Sequence, residues 1–226
     1  MIKVLITCFF SLHIFAQNEL QNAHQLYSSG KVLEADNRVS QYLESYPNDV
    51  QALELKGDIC GRRKDWDCAI RHYQKVKQLK PGEADFHYKY GGALGMKAKT
   101  VNKFKALGMI GDIRGSFEKA IKLDPRHLEA RWALIELNLQ LPAIAGGSLA
   151  KARQYANELA RLSAVDGCLA HARIDEHQDD FSSAEKNYKL AWDKYDSVTA
   201  AKKLAALYQK MNKPQKAQAI LRALDK

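Results

Sequence analysis

The sequence predicts an all-α fold in which helical hairpins stack into a solenoid, and three observations carry that expectation. The stretch "KDWDCAIRHYQKVKQLKP", Lys64 to Pro81, aligns without gaps with "GKVLEADNRVSQYLESYP", Gly30 to Pro47. Their closing prolines stand 34 residues apart. A second helical pattern precedes each such segment, with apolar or small residues at spacings of three and four, as one buried helical face requires. A repeat of this length is a unit that cannot bury its apolar face alone and stacks on its neighbours.

Taken in order, the second helices carry Ala35 and Val39, then Ala69 and Tyr73, then Phe117 ahead of Pro125 in "IRGSFEKAIKLDP". Ala184 and Tyr188 follow in "FSSAEKNYKLAW", and Ala217 and Leu221 in "KPQKAQAILRAL". The first helices are "DVQALELKGDIC", "EADFHYKYGGAL", "LEARWALIELNL" and "TAAKKLAALYQK". Units are expected over 17–49, 50–83, 84–126, 127–164, 165–198 and 199–226. Two insertions interrupt them. The lysine-rich "MKAKTVNKFKALGMIGDIR" adds about ten residues that either lengthen the helices or form a projecting loop. Around "LPAIAGGSLAKARQYA", Pro142 stops one helix and Ser148 caps the next by accepting a backbone N–H.

The period, together with Leu53 and Gly57 in one helix, Ala69 and Tyr73 in the next and Pro81 at the end, resembles the tetratricopeptide repeat family. The resemblance covers nearly all of the chain after the leader, and the 50–83 unit carries most of the pattern. It implies a right-handed superhelical solenoid of about six hairpins. In it, small residues at Gly57 and Ala69 let two helices approach, Tyr73 fills the wedge against the next unit, and Pro81 ends the helix for want of an N–H. A Pro-then-Gly-Gly insertion like the one here also marks exported bacterial members of the family.

The first residues, "MIKVLITCFFSLHIFAQ", place Lys3 ahead of an apolar run too short to span a bilayer. This is the layout of a cleavable secretory signal over 1–16, with an alternative in which Cys8 is lipidated. The chain is therefore expected in the periplasm or envelope of a Gram-negative bacterium. Formal charge is +9, one less after loss of Lys3, which favours acidic partners without choosing one. Export leaves Cys60, Cys68 and Cys168 where disulfides persist, and an odd count leaves one thiol unpaired. Cys60 and Cys68 flank the turn at "RRKD" at similar distances, so they are candidates for a staple across one hairpin; the alternative is two buried thiols packed separately.

Candidate sites are few. Gly146, Gly147 and Ser148 precede a helix and form a candidate anion loop, although they lack the lysine and spacing of a nucleotide loop. Cys168, His171 and Asp175 fall on one helical face, but packing accounts for the first two without a metal. Lys97, Lys99, Lys103, Lys105 and Arg114 gather in the 97–114 insertion, whose default reading is a solvated face. Export and the absence of interleaved aromatics argue against nucleic acid, leaving an acidic protein or an anionic membrane surface met peripherally. With no paired-histidine or activated-serine motif, no catalytic group, metal or cofactor is expected.

The family resemblance implies that first-helix residues line a partner groove, here His24, Tyr27, Glu54, Asp58, Tyr88, Arg131 and Trp132. Relatives that clasp a terminal carboxylate carry Lys and Asn on this surface. Glu54 and Asp58 stand there instead, which favours a polar or basic segment. The expected function is a non-catalytic protein-interaction scaffold of the cell envelope. The alternative is a small-molecule or lipid-binding accessory for envelope transport.

Overall fold

The computed structural model describes residues 18–224; the leader expected over 1–16, with Cys8, lies outside them. Among the described residues the chain forms twelve α-helices, one short 3-10 helix and no strand. By its internal contacts the chain divides into two compact units, one ending at Leu123 and the other beginning at Asp124.

The first unit holds α1 (18–28), α2 (Val32–Ser45), α3 (Val50–Arg62), α4 (Trp66–Leu79), α5 (Ala84–Ala98) and α6 (Lys103–Leu123). The second holds α7 (Leu128–Gln140), the 3-10 turn Ala143–Ala145, α8 (Leu149–Leu162), α9 (Ala164–His177), α10 (Phe181–Tyr195), α11 (Val198–Lys210) and α12 (Pro214–Leu224). From α2 to α6 and from α7 to α12 each helix packs on the next in sequence, and Leu20 and Ala23 of α1 share a core with Ala35 and Val39 of α2.

Short polar residues start the helices. Asp49, Asp65, Ser148, Ser163, Asp180 and Ser197 each accept a hydrogen bond from a backbone N–H of the first turn that has no helical partner. Turns inside four of the hairpins share one device. Gly30, Lys64, Asp179 and Asn212, each two residues ahead of a second helix, have φ of 84°, 61°, 56° and 55°. One left-handed residue reverses the chain, and only the first copy uses glycine, for which that conformation costs least.

The buried faces follow the repeat. Ala35 and Val39, Ala69 with Tyr73 and Val76, and Phe117 with Ala120 lie inside the first unit. Ala152 with Ala156 and Leu159, and Ala184 with Tyr188 and Ala191, lie inside the second. Apart from the α6 pair, these residues gather into cores that each draw on three or more successive helices, not around a single centre. One expected core residue moves: Leu221 is exposed and Ile220 is buried in its place, because α12 packs chiefly against α11 and that side is the one covered.

Gly57 has a more specific task than a close helix approach. A Cβ there would stand 2.5 Å from Cε1 of Tyr73, so the absent side chain makes room for the tyrosine ring of the same hairpin. Gly91 does the same for Phe117, whose Cε1 would lie 3.0 Å from an added Cβ. Cys60 and Cys68 are joined by a disulfide between α3 and α4, with Cα atoms 5.7 Å apart. Closing so short a loop in the unfolded chain is worth about 2.5 kcal/mol. The lysine-rich insertion lengthens α6, which begins at Lys103 and runs 21 residues.

Candidate functional site

In the first unit the structure brings several first-helix residues together around Asp58. Lys89 of α5 donates to Glu54 Oε1 at 2.7 Å and to both Asp58 oxygens at 2.8 and 3.0 Å. Tyr73 of α4 donates to Asp58 Oδ1 at 2.6 Å, and the Tyr27 hydroxyl of α1 reaches the Asp58 carbonyl at 3.4 Å. The Arg62 guanidinium lies over the Tyr27 ring, 5.2 Å from its centroid, and donates to the Tyr27 carbonyl. Four helices thus meet at Asp58, α4 and α5 through its carboxylate and α1 through its backbone carbonyl.

The cluster is neither buried nor free. Side chains of Glu54, Asp58 and Lys89 retain 31 %, 27 % and 26 % of their exposure, enough for a partner to reach them and too little for them to wander. Burial by itself would lower the Lys89 pKa, but its hydrogen bonds to Asp58 and Glu54 outweigh it and hold the ammonium above its ordinary value. Glu54 spends one oxygen on Lys89 and leaves the other as an acceptor, so the face presents fixed acceptors beside the Tyr27 and Tyr73 hydroxyls.

His24 is exposed on α1, and Tyr88 is half-buried with its ring 5.9 Å from that of Phe117. Lys89 is the residue that sequence reasoning missed, and Tyr73, expected only to pack, also brings its hydroxyl to the cluster. The signal existed for Lys89, which follows Glu54 by 35 residues, one repeat later on the neighbouring first helix.

In the second unit Arg131 departs from the groove expectation. It is buried at 6 % exposure, donates from Nε to Glu158 Oε2 at 3.0 Å and from a terminal nitrogen to the His127 carbonyl at 2.9 Å. A buried guanidinium needs such partners, and their presence makes Arg131 a packing residue. Trp132 is half-buried and donates from Nε1 to Asp166 Oδ1, 34 residues on, at 2.8 Å.

The Gly-Gly turn spends its own donors. Gly146 N–H donates to the Ala143 carbonyl, Gly147 N–H to that of Pro142 and Ser148 N–H to that of Asn138. Ser148 Oγ accepts from Lys151 N–H. A Cβ on Gly147 would sit 1.8 Å from the Leu141 carbonyl oxygen, so this glycine is required by the turn's own backbone.

Asp175, which packing left unexplained in the sequence, is buried between Arg153 and Asn187, which donate to its two oxygens at 3.2 and 3.0 Å. A different trio lies close: ligand atoms of Cys60, Cys68 and His72 fall within 4.8 Å of one another. The two sulfurs are bonded to each other and are not thiolates, and the His72 imidazole donates from Nδ1 to the Cys68 carbonyl at 2.9 Å. In this state the trio is structural.

A cavity of about 310 Å³ lies among α4, α5 and α6, lined by Lys77, His87, Tyr90, Asp112, Ser116, Lys119 and two glycines of α6. Lys77 Nζ sits 3.8 Å from the Tyr90 ring centroid, and burial pushes its pKa down. His87 donates from Nε2 to the Pro81 carbonyl at 3.0 Å.

A profile of the tetratricopeptide repeat matches residues 20–84 and 114–166, together more than half of the chain. No curated protein matches the chain by sequence. Among solved structures it is similar to a tetratricopeptide repeat protein from Parabacteroides merdae, with 15 % identity and a TM-score of 0.66 over 92 % of this chain and 78 % of that one. A thermophilic repeat protein from Thermus thermophilus gives 16 % identity and a TM-score of 0.68 over 86 % of this chain and 99 % of that one. PilW, a type IV pilus biogenesis factor, gives 16 % and 0.68 over 93 % and 92 %. At these identities the likeness is one of fold.

Proposed function

This chain belongs to the tetratricopeptide repeat family, and from that premise we propose that it is a non-catalytic protein-interaction scaffold of the cell envelope. A polar or basic segment of a partner would lie along the first-helix face of the 18–123 unit. The observation that carries this reading is the Glu54–Asp58–Lys89 cluster, whose carboxylates are part-exposed yet held by Lys89 and Tyr73. Acceptors fixed before binding cost little further ordering entropy when a partner arrives, which is how a rigid repeat surface gains affinity. The single array over 17–226 and the leader over 1–16 belong to the same proposal, as does peripheral contact of the 97–114 segment with an anionic membrane surface. That PilW, similar in fold along its length, is a pilus biogenesis factor accords with an envelope setting.

Extended peptides of basic, neutral and acidic composition, titrated against the protein by fluorescence polarisation, test the groove. Basic peptides should bind best, and Glu54→Gln should weaken them about fivefold while sparing neutral ones. Equal binding of all three classes, unchanged in the variant, removes the assignment.

The second reading, a small-molecule or lipid-binding accessory for envelope transport, rests on the α4–α6 cavity. Its lining of two lysines, a histidine, a tyrosine and an aspartate suits a small polar anion better than an acyl chain.

A further inference from the structure

Helix α6 is divided along its length. Ile113, Ser116, Phe117 and Ala120 are its buried residues, so its first ten residues bury none. Yet this stretch is not polar: Phe104 is 88 % exposed and Leu107 50 %, with Met96 at the end of α5 exposed at 41 %. Phe104 and Leu107, three apart on one helix, share a face. Asn102 fixes the start of that face, its side chain accepting from Lys105 N–H at 3.0 Å.

Along the chain, the charge of this apolar tip has one sign. From Phe86 to Gly111 the chain has no Asp or Glu. Lys89 is used by Glu54 and Asp58, and Lys97 by Asp67 at 2.6 Å. Lys99, Lys103 and Lys105 are exposed and make no ion pair among the described residues. The N-terminus of a long helix adds positive potential at the same end.

We propose that the α5–α6 tip docks peripherally on an anionic lipid surface. Phe104 and Leu107 enter the boundary between headgroups and acyl chains, while Lys99, Lys103 and Lys105 meet headgroup phosphates. A bilayer is favoured over a protein by shape. Phe104 projects almost wholly into solvent, and a protein would need a pocket built to receive it, whereas a fluid interface accepts a projecting ring anywhere. One aromatic anchor with three lysines adds an electrostatic signal to an apolar one, and the two together hold the tip reversibly at the surface. The inference rests on the peripheral-contact part of the functional reading and is independent of the groove around Asp58.

The test is co-sedimentation of the protein with phosphatidylcholine vesicles with and without phosphatidylglycerol, at low and high salt. Binding should require the anionic lipid and fall with salt. Single replacement of Lys99, Lys103 or Lys105 by Ala should cost about fivefold each, and Phe104→Ser about tenfold. Because all four side chains are exposed, circular dichroism and the Glu54-dependent peptide binding should be unchanged, which separates failure here from failure of the groove. No binding to anionic vesicles, equal binding to neutral ones, or an unaffected Phe104→Ser variant overturns the proposal. So does lysine-dependent capture of a poly-glutamate peptide by a protein that ignores vesicles, which would make the tip a protein contact.

Discussion

The ring of Tyr73 lies where Gly57 has no side chain, and its hydroxyl donates to Asp58 one residue further along α3. A small residue and an aromatic, 16 positions apart, therefore act as a single packing device that also delivers a polar group to the first-helix face. Gly57→Ala should destabilise the protein by about 1–3 kcal/mol, because the cost of displacing the ring exceeds the gain in helix propensity. Thermal unfolding checks it; a variant as stable as the parent would mean the ring moves freely.

Lys89 bridges two carboxylates at once. Lys89→Ala should cost about 1–2 kcal/mol, the lower part of the range for a stranded charge because the cluster is part-exposed. Glu54→Lys with Asp58→Lys would put three ammonium groups together and should cost more than either single change. The neutral set Glu54→Gln, Asp58→Asn, Lys89→Met should recover most of the loss, since matched removal leaves no orphan charge. Urea unfolding of the series measures each step.

Stability should fall at alkaline pH. Burial, then the neighbouring Asp49, pushes Tyr42 up to about 12. Burial, with Asp58 and Glu176 beside them, raises Tyr73 and Tyr188 further. Unfolded phenols lose protons near pH 10 while the folded ones keep theirs, so the unfolded state binds fewer protons there. The tyrosine contribution is fully present below about pH 10 and declines as pH rises beyond it. Tyr188→Phe should make that decline shallower by up to about 1.4 kcal/mol per pH unit, read from urea midpoints across the range.

Lys64 occupies a left-handed turn position at φ 61° with a side chain that gains nothing from it. Lys64→Gly should stabilise the fold by about 1 kcal/mol. Asn212→Gly, at the equivalent place, should gain less because asparagine tolerates this conformation. Melting temperatures of the pair decide it.

Gly147→Ala should damage the second unit more than its surface position suggests. With the Leu141 carbonyl 1.8 Å from any Cβ, the turn must open, at a cost on the order of 3 kcal/mol. Hydrogen exchange should speed up from about residue 138 to 152, the span bridged by the Ser148 to Asn138 bond.

The sequence by itself determined the helical hairpins and most of their buried faces. Ala69, Tyr73, Ala184 and Tyr188 are inside because burial of a helix repeats with its own pitch, a local property that residue order records. Only tertiary structure decided that Lys89 bridges Glu54 and Asp58, that Arg131 is buried on Glu158, and that the Gly-Gly amides are spent within their turn. Likewise, that the insertion continues α6 with Phe104 outward was not readable from its composition. Pairing and exposure depend on which side chains arrive from other helices, 27 to 35 positions away in these ion pairs, and no short window of sequence contains both partners.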